Sequence, residues 1–293
     1  MHGIAGILRF IWNHPLNRAD RLGGIARFVQ WQVSSRLAPG AIAFPFVDGT
    51  RLLVSPGMSG ATGNFYCGLH EAAEMGFVLH ALRPGELFVD VGANVGAYTV
   101  LAAGAVGARV VAAEPVPATF EALRRNVAIN DIGDRVRALQ CGLAAKAGEL
   151  AFTNDRDSVN HVVVSGDGRG TVRVPVLTLD ALCADETPTV IKVDVEGFER
   201  EVIAGGARTL SAPGLLAVVM ETNGSGARYG WRDDELVLAM RGFGFAACGY
   251  DPFGRALRVA SPGTANTIFV RDPATLTERT SAARRFRLVT GDV

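Results

Sequence analysis

Lys192, Asp194 and Glu196 stand at alternate positions in IKVDVEGFERE, residues 191–201. On an extended chain a two-residue spacing sends side chains to one face. One ammonium and two carboxylates on one face are costly to bury unless they are paired. Placed at the end of an apolar strand, they have the chemistry of a proton-transfer site: a carboxylate to take a proton from a weak nucleophile, and an ammonium to orient a carboxylate or hold developing oxyanion charge. A plainer reading of the same residues is a self-satisfied Lys–Asp–Glu network. His161, in SVNHVVV, is a second candidate base, although a lone histidine more often has a structural role.

A further set lies in LFVDVGANVGAYTVLAA, residues 87–103. Gly92, Asn94 and Gly96 follow an apolar segment and precede a helical one, and glycines there let backbone approach a ligand closely. The spacing is not G-x-G-x-x-G, which argues against a dinucleotide loop. Asp90 argues the same way, because a pyrophosphate over this turn would meet a carboxylate. S-adenosylmethionine (SAM) has no phosphate and carries a sulfonium and an ammonium. Asp90 would attract it, directly or through water. The alternative for Asp90 is a cap on the following helix. Glu114, 24 residues further on, is placed to accept hydrogen bonds from a ribose diol. Its alternative is a charge at the N-terminus of the next helix. On topology alone, Cys141 and Gly142 fall where an adenine edge would lie.

These groups need strands to present them. LFVDV, ARVVAAE (108–114), RVRALQCGL (135–143), TVIKVDV (189–195), LLAVVMETN (215–223) and NTIFVRD (266–272) read as strands. Helices are expected at 96–106, 117–130, 196–210 and 233–244, and HEAAEMGFVLHAL (70–82) is a helix that stops at Pro84-Gly85. Alternating strands and helices predict a parallel sheet covered on both faces, with ligands at the carboxyl ends of its strands. Residues 41–86 begin as short strands, with Asp48-Gly49 as a hairpin turn.

Composition excludes several classes. Charge is balanced at 29 basic and 29 acidic residues, so there is no global field for nucleic acid. Cys67, Cys141, Cys183 and Cys248 are scattered with no C-x-x-C pair, which argues against a zinc site or redox dithiol and fits a reducing, cytoplasmic compartment. No metal is expected. The longest apolar run, 100–113, is too short to span a bilayer and contains Arg109. Residues 1–40 carry five arginines against Asp20, with Ile4, Ile7, Leu8 and Ile11 at helical spacing. That segment is either a packed helix or a basic amphipathic helix on a membrane surface.

FVDVGANVGAYT, AAEPVPATFEALRRN and VIKVDVEGFEREVIAGG together resemble the FkbM-type SAM-dependent methyltransferases. TLDAL (178–182) stands where that family often has a T-L-D segment, and YCGLHEAAEMGFV (66–78) resembles its lead-in. The resemblance covers about residues 85–223. It implies a class I methyltransferase fold, a Rossmann-like, doubly wound α/β sheet of seven strands, mostly parallel with the last antiparallel. It also implies O-methylation of a sugar, polyketide or related hydroxyl. Carried over, Asp90, Gly92, Asn94 and Gly96 would hold the methionine end of SAM, Glu114 its ribose, and Lys192, Asp194 and Glu196 would face the methyl group. Glu71 and Glu221 are expected in the acceptor pocket. The expected layout is an N-terminal helical and short-strand extension (1–60), a methyltransferase domain (61–275) and a tail (276–293). The expected partner is a small-molecule hydroxyl acceptor, with a homo-oligomer possible and no nucleic acid or integral membrane segment. The competing readings are a nicotinamide-dependent oxidoreductase and a non-catalytic protein of the same fold.

Overall fold

The computed structural model describes residues 3–38, 40–153, 161–163, 170–259 and 266–293. The chain opens with α1 (Ile4–Asn13) and α2 (Arg21–Leu37). Asp20 caps α2 by accepting the Gly23 N–H at 2.8 Å. Gly24 brings the two helices together, since a Cβ there would meet Ile11 and Asn17. β1 (Ile42–Pro45) and β2 (Arg51–Val54) form an antiparallel hairpin. Asp48 and Gly49 both have positive φ, as a primed turn requires, and the Thr50 N–H closes it on Val47 O. α3 (Ser59–Cys67) and α4 (Ala72–Ala81) follow.

The alternating region begins with β3 (Leu87–Val91), whose five residues are all buried. Helix α5 (Ala97–Val100) runs directly into a π-helical turn, Leu101–Val106. β4 (Arg109–Ala113) and α6 (Pro117–Ile129) come next, the latter with proline in its first turn. The segment 135–143 does not form one strand. It divides at Gln140 into β5 (Val136–Leu139) and β6 (Gly142–Leu143), and β6 lies outside the main sheet, in a small three-stranded one. β7 (Gly148–Thr153) and β8 (Thr171–Leu177) complete that small sheet. α7 (Leu179–Cys183) is capped by the Thr178 hydroxyl, which accepts the Ala181 N–H at 3.0 Å. The Asp180 carboxylate accepts the Arg208 and Thr209 N–H groups, so the T-L-D segment ties two helices together.

β9 (Val190–Val193) is again wholly buried. The helix expected over 196–210 is two helices, α8 (Glu199–Ala204) and α9 (Ala207–Ser211), broken at Gly205-Gly206. A Cβ on either glycine would strike Ala144 O or the Leu179 side chain, so close packing costs the helix its continuity. β10 (Ala217–Glu221), α10 (Asp233–Gly242), β11 (Ala246–Asp251), β12 (Ala256–Val259) and β13 (Asn266–Val270) finish the sheet. The expected C-terminal tail contains a helix, α11 (Pro273–Ser281), and a small hairpin of β14 (Arg287–Leu288) and β15 (Gly291–Asp292).

The main sheet runs β12-β11-β13-β10-β9-β3-β4-β5. β10, β9, β3, β4 and β5 are parallel, while β13 lies antiparallel between β10 and β11. This is a seven-strand order with one reversed strand, the layout of a class I methyltransferase, plus β12 as an eighth strand at the edge. One apolar cluster on the sheet joins Ile11, Phe28 and Trp31 of the N-terminal helices to Phe88, Val110 and Ala217, and reaches Phe286 and Val293. The extension and the tail therefore share the core of the central domain. The chain moves outward from β3 through β4 and β5, then returns to β9 on the other side of β3. A ligand crevice in such a sheet opens at that reversal, above the carboxyl ends of β3 and β9.

Candidate active site

Two cavities open there and share a rim of Gly92, Asn94, Asp194 and Glu196. They enclose about 620 and 800 Å³, mouths included. The first is lined by Glu114, Pro115, Cys141, Gly142, Phe152, Val162 and Phe198. The second is lined by His70, Glu71, Tyr98, Lys192, Glu221 and the glycine loop.

The Glu114 side chain reaches back from the end of β4 into the loop. Its Oε2 accepts the Asn94 N–H at 2.9 Å and its Oε1 the Val116 N–H at 3.0 Å. Val116 precedes α6, so Glu114 also serves that helix terminus. Each carboxylate oxygen keeps a lone pair. Burial pushes the Glu114 carboxyl up to about 7, against the pull of the two N–H donors.

Asp90 is placed differently from expectation. It lines neither cavity and is only 1% exposed. It does not cap a helix either, since Gly96 holds the N-cap of α5. Its Oδ2 accepts the Thr99 hydroxyl at 2.7 Å, while Oδ1 is buried without a partner. Burial raises its carboxyl above the usual range, opposed by Lys192, its neighbour in register on β9. Gly96 also lines neither cavity. Its positive φ starts α5, and Leu123 fills the space where a Cβ would go. Gly92 lines both cavities, yet its missing side chain makes room for Asp194 O, which a Cβ would meet at 1.8 Å. Gly92 and Gly96 are thus required by the protein's own packing.

The second cluster is assembled without the two-residue strand spacing. β9 stops at Val193, and Glu196 sits in the left-handed region with φ +54°. The turn is held by Glu199, fully buried, whose Oε1 accepts the Val195 and Gly197 N–H groups. Gly197 has φ +102°, and a Cβ there would meet Ser225 O at 2.7 Å. The final glutamate of K-x-D-V-E-G-x-E therefore clamps the turn that presents Glu196.

Lys192 Nζ donates to Asp194 Oδ2 at 2.7 Å and lies 4.9 Å from the centre of the Tyr98 ring. Burial pulls Lys192 down, but Asp194, Glu71 and Asp90 outweigh it and hold the ammonium above its ordinary value. The Tyr98 hydroxyl donates to Glu71 Oε2 at 2.5 Å, and Asn266 Nδ2 donates to Glu71 Oε1 at 2.7 Å. Asp194, Glu196 and Glu221 each bring a carboxylate oxygen within 4.8 Å of the others. Burial, then Asp194 and Glu199, pushes Glu196 up to about 7. Burial together with Asp194, Glu196 and Glu199 raises Glu221 well above the usual carboxylate range.

The structure thus brings together Glu71, Gly92, Asn94, Glu114, Cys141, Lys192, Asp194, Glu196 and Glu221. His161 lines neither cavity; its N–H donates to the Thr153 hydroxyl and its carbonyl accepts the Thr153 N–H, and its neighbour Val162 faces the first cavity instead. Tyr98, Thr99, His70 and Glu199 were not singled out from sequence. Tyr98 and Thr99 lie two and three residues after Gly96, and Glu199 three residues after Glu196.

The doubly wound sheet, with a glycine loop at its reversal, a buried glutamate after the next strand and a carboxylate cluster opposite, has the fold of the class I methyltransferases. The chain matches the methyltransferase FkbM domain over residues 90–252, more than half its length, and belongs to that family. Methyltransferase sdnD of Sordaria araneosa is 31% identical over 42% of this chain and 61% of its own. Hexuronic acid methyltransferase AglP of Haloferax volcanii is 30% identical over 48% of this chain and 58% of its own. 31-O-demethyl-FK506 methyltransferase FkbM of Streptomyces tacrolimicus is 28% identical over 56% of this chain and 74% of its own. The match thus spans about three fifths of the first two relatives. A TehB-like SAM-dependent methyltransferase from Corynebacterium glutamicum is 11% identical, covering 72% of this chain and 94% of its own, with a TM-score of 0.42. That likeness is too slight to bear on the site.

Proposed function

We propose that the protein methylates a hydroxyl of a small molecule, of sugar or polyketide type, using SAM. The observation that carries this reading is the pair of cavities meeting at Gly92, Asn94, Asp194 and Glu196. One has the lining of a nucleoside site, with a diol-accepting acid and an apolar wall. The other is acidic and suited to a polar acceptor. The relatives' names point the same way, one to a hexuronic acid and one to 31-O-demethyl-FK506.

The residues present fit the cofactor. Glu114 retains lone pairs for two ribose hydroxyls, Cys141 and Gly142 flank the adenine position, and the acids of the shared rim favour a cation over a phosphate. SAM supplies an activated methyl group on a positively charged sulfur. The chain supplies alignment, which is able to lower the barrier by about 7–11 kcal/mol. Glu196 is the base, its carboxyl near neutrality, where proton acceptance is most effective. Asp194 stays paired with Lys192, and the pair orients the acceptor. Glu71, fixed by Tyr98 and Asn266, and Glu221 bind acceptor hydroxyls.

Calorimetric titration with SAM and with NAD tests the cofactor, and transfer of a labelled methyl group to a panel of sugar and polyketide alcohols tests the reaction. Binding of NAD but not SAM would support the oxidoreductase reading instead. Neither ligand binding to a folded chain would support the non-catalytic one.

A further inference from the structure

The two N-terminal helices expose an apolar stripe that the core does not use. Among the described residues ten large apolar side chains are exposed, and six of them, Ile4, Trp12, Leu22, Val29, Val33 and Leu37, lie in α1 and α2. Leu22 and Leu37 are 74% and 78% exposed. On α2 the buried residues are Gly24, Phe28 and Trp31. At 100° per residue Leu22, Ala26, Val29, Val33 and Leu37 fall on the opposite face, at the spacing of a continuous helical stripe. The helix is therefore apolar on two sides, one sealed against the domain and one facing outward. A monomeric protein in water rarely keeps such a stripe.

The charges on the two helices themselves have one sign. Neither α1 nor α2 contains an acidic residue. Arg9, Arg18, Arg21 and Arg36 are all exposed. Asp20, between the helices, is engaged as the α2 cap, and Asp251 and Asp292 border only the pocket that Arg18 lines, away from the α2 stripe. Arg27 is turned inward, to Tyr66 O and Asn17. The Arg21 guanidinium lies over the Trp12 ring, 5.3 Å from its centre, which joins α1 to the head of the stripe. Exposed aliphatic side chains, an exposed tryptophan and an all-arginine rim are the composition of an element lying in a lipid headgroup layer. Arginines snorkel to phosphates there while the aliphatics enter the acyl boundary. A second copy of the chain would bring a second set of arginines against the first, with no acid on either helix to receive them.

We propose that α1 and α2 dock this protein on the surface of an anionic lipid bilayer, with the stripe Leu22–Val29–Val33–Leu37 embedded at the headgroup level. No helix of the described residues is long and apolar enough to cross a membrane, so the attachment is to the surface. The proposal is independent of the cofactor and acceptor.

The test is co-sedimentation of the full chain with vesicles of phosphatidylcholine alone and of equal parts phosphatidylcholine and phosphatidylglycerol. Binding to the anionic vesicles is expected to be at least about tenfold tighter and to weaken with salt. Tryptophan emission should shift to the blue, because Trp31 and Trp231 are already buried and Trp12 is the ring that changes surroundings. The Val29→Glu/Val33→Glu double variant alters only exposed positions. It is expected to keep the wild-type melting temperature and lose vesicle binding. Equal binding by that variant would overturn the proposal. So would a wild-type chain that ignores anionic vesicles, or that forms a dimer which the double variant splits; the latter would make the stripe a contact between copies.

Discussion

Glu114 Oε2 accepts the Asn94 N–H at 2.9 Å, so the acid that ends β4 and the loop that follows β3 form one unit. The carboxyl stands near 7, raised chiefly by burial. Two ribose hydroxyls donating to it would favour its ionised form. SAM binding should then release a proton below about pH 7, and affinity should rise as pH increases from about 6 and level off above about 8. Calorimetry in buffers of different ionisation enthalpy reads the proton directly. Glu114→Gln places an amide N–H against a backbone N–H and should weaken SAM by about 1–3 kcal/mol while removing the pH dependence. An unchanged dissociation constant would mean that the ribose lies elsewhere.

Glu196 and Asp194 divide the second cluster by charge. Asp194 is engaged with Lys192, whereas Glu196 has its carboxyl near 7. At saturating SAM, kcat should climb with pH through about 7 as Glu196 ionises. Glu196→Gln should lower kcat by roughly 10²–10⁴-fold and flatten the profile. A mutant with wild-type kcat would remove Glu196 as the base.

Asp194→Asn keeps an oxygen for Lys192 and removes the charge. Turnover should be lost, with SAM affinity measured calorimetrically staying within about tenfold, because Glu196 stays on the shared rim to face a cation. Wild-type turnover would exclude Asp194 from the mechanism.

Strands were the most legible part of the sequence. β3, β9 and β10 are buried almost throughout, and a parallel sheet makes such strands mainly apolar, so their residue types announce them despite the single charged residue in each. The expected residue groups also converge, because residues after each strand meet at the reversal of the sheet. What failed was local geometry. A two-residue period predicts one face for Asp194 and Glu196, but Glu199 and Gly197 impose a turn after Val193, and a left-handed residue breaks any face rule. Asp90 was assigned by its charge to the rim, yet its place as the fourth residue of a buried strand puts it behind the loop with Thr99. His161 offered chemistry by type alone. β11, β12 and α11 were missed because their residues are mixed in polarity and partly exposed, leaving no apolar run to mark them.

Ligand-free stability should depend on pH in an unusual sense. Glu74, Glu114, Glu196 and Glu199 are each pushed up to about 7, by burial first. A carboxyl raised on folding binds more protons in the folded chain than in the unfolded chain between about 4.5 and 7. Its contribution is complete below about 4.5 and is lost as pH rises through about 7. Each group contributes up to about 1.4 kcal/mol per pH unit across that window. Buried His14 and His80, lowered to about 4, oppose this trend below about pH 6.5, and the four carboxyls outweigh them, so the melting temperature of the ligand-free protein should fall by several degrees between about pH 5 and pH 8. A flat or rising profile in differential scanning fluorimetry would show these carboxyls already ionised and compensated.

Gly197 offers the sharpest separation of geometry from charge at the site. It follows Glu196, carries φ +102°, and leaves no room for a Cβ beside Ser225 O. Gly197→Ala should cost about 1–3 kcal/mol through backbone strain alone. The chain around it relieves that strain by moving the turn, and Glu196 moves with it. The variant should therefore fold, melt a few degrees lower, and lose kcat far more than SAM affinity, although no ionisable group has been altered. Glu199→Gln is the companion change. It keeps one acceptor oxygen for the Val195 and Gly197 N–H groups but loses the charge, so the turn should hold and kcat should fall less than in Gly197→Ala. If Gly197→Ala retained wild-type kcat, the left-handed turn would be a packing feature of the fold and Glu196 would not depend on it for its position.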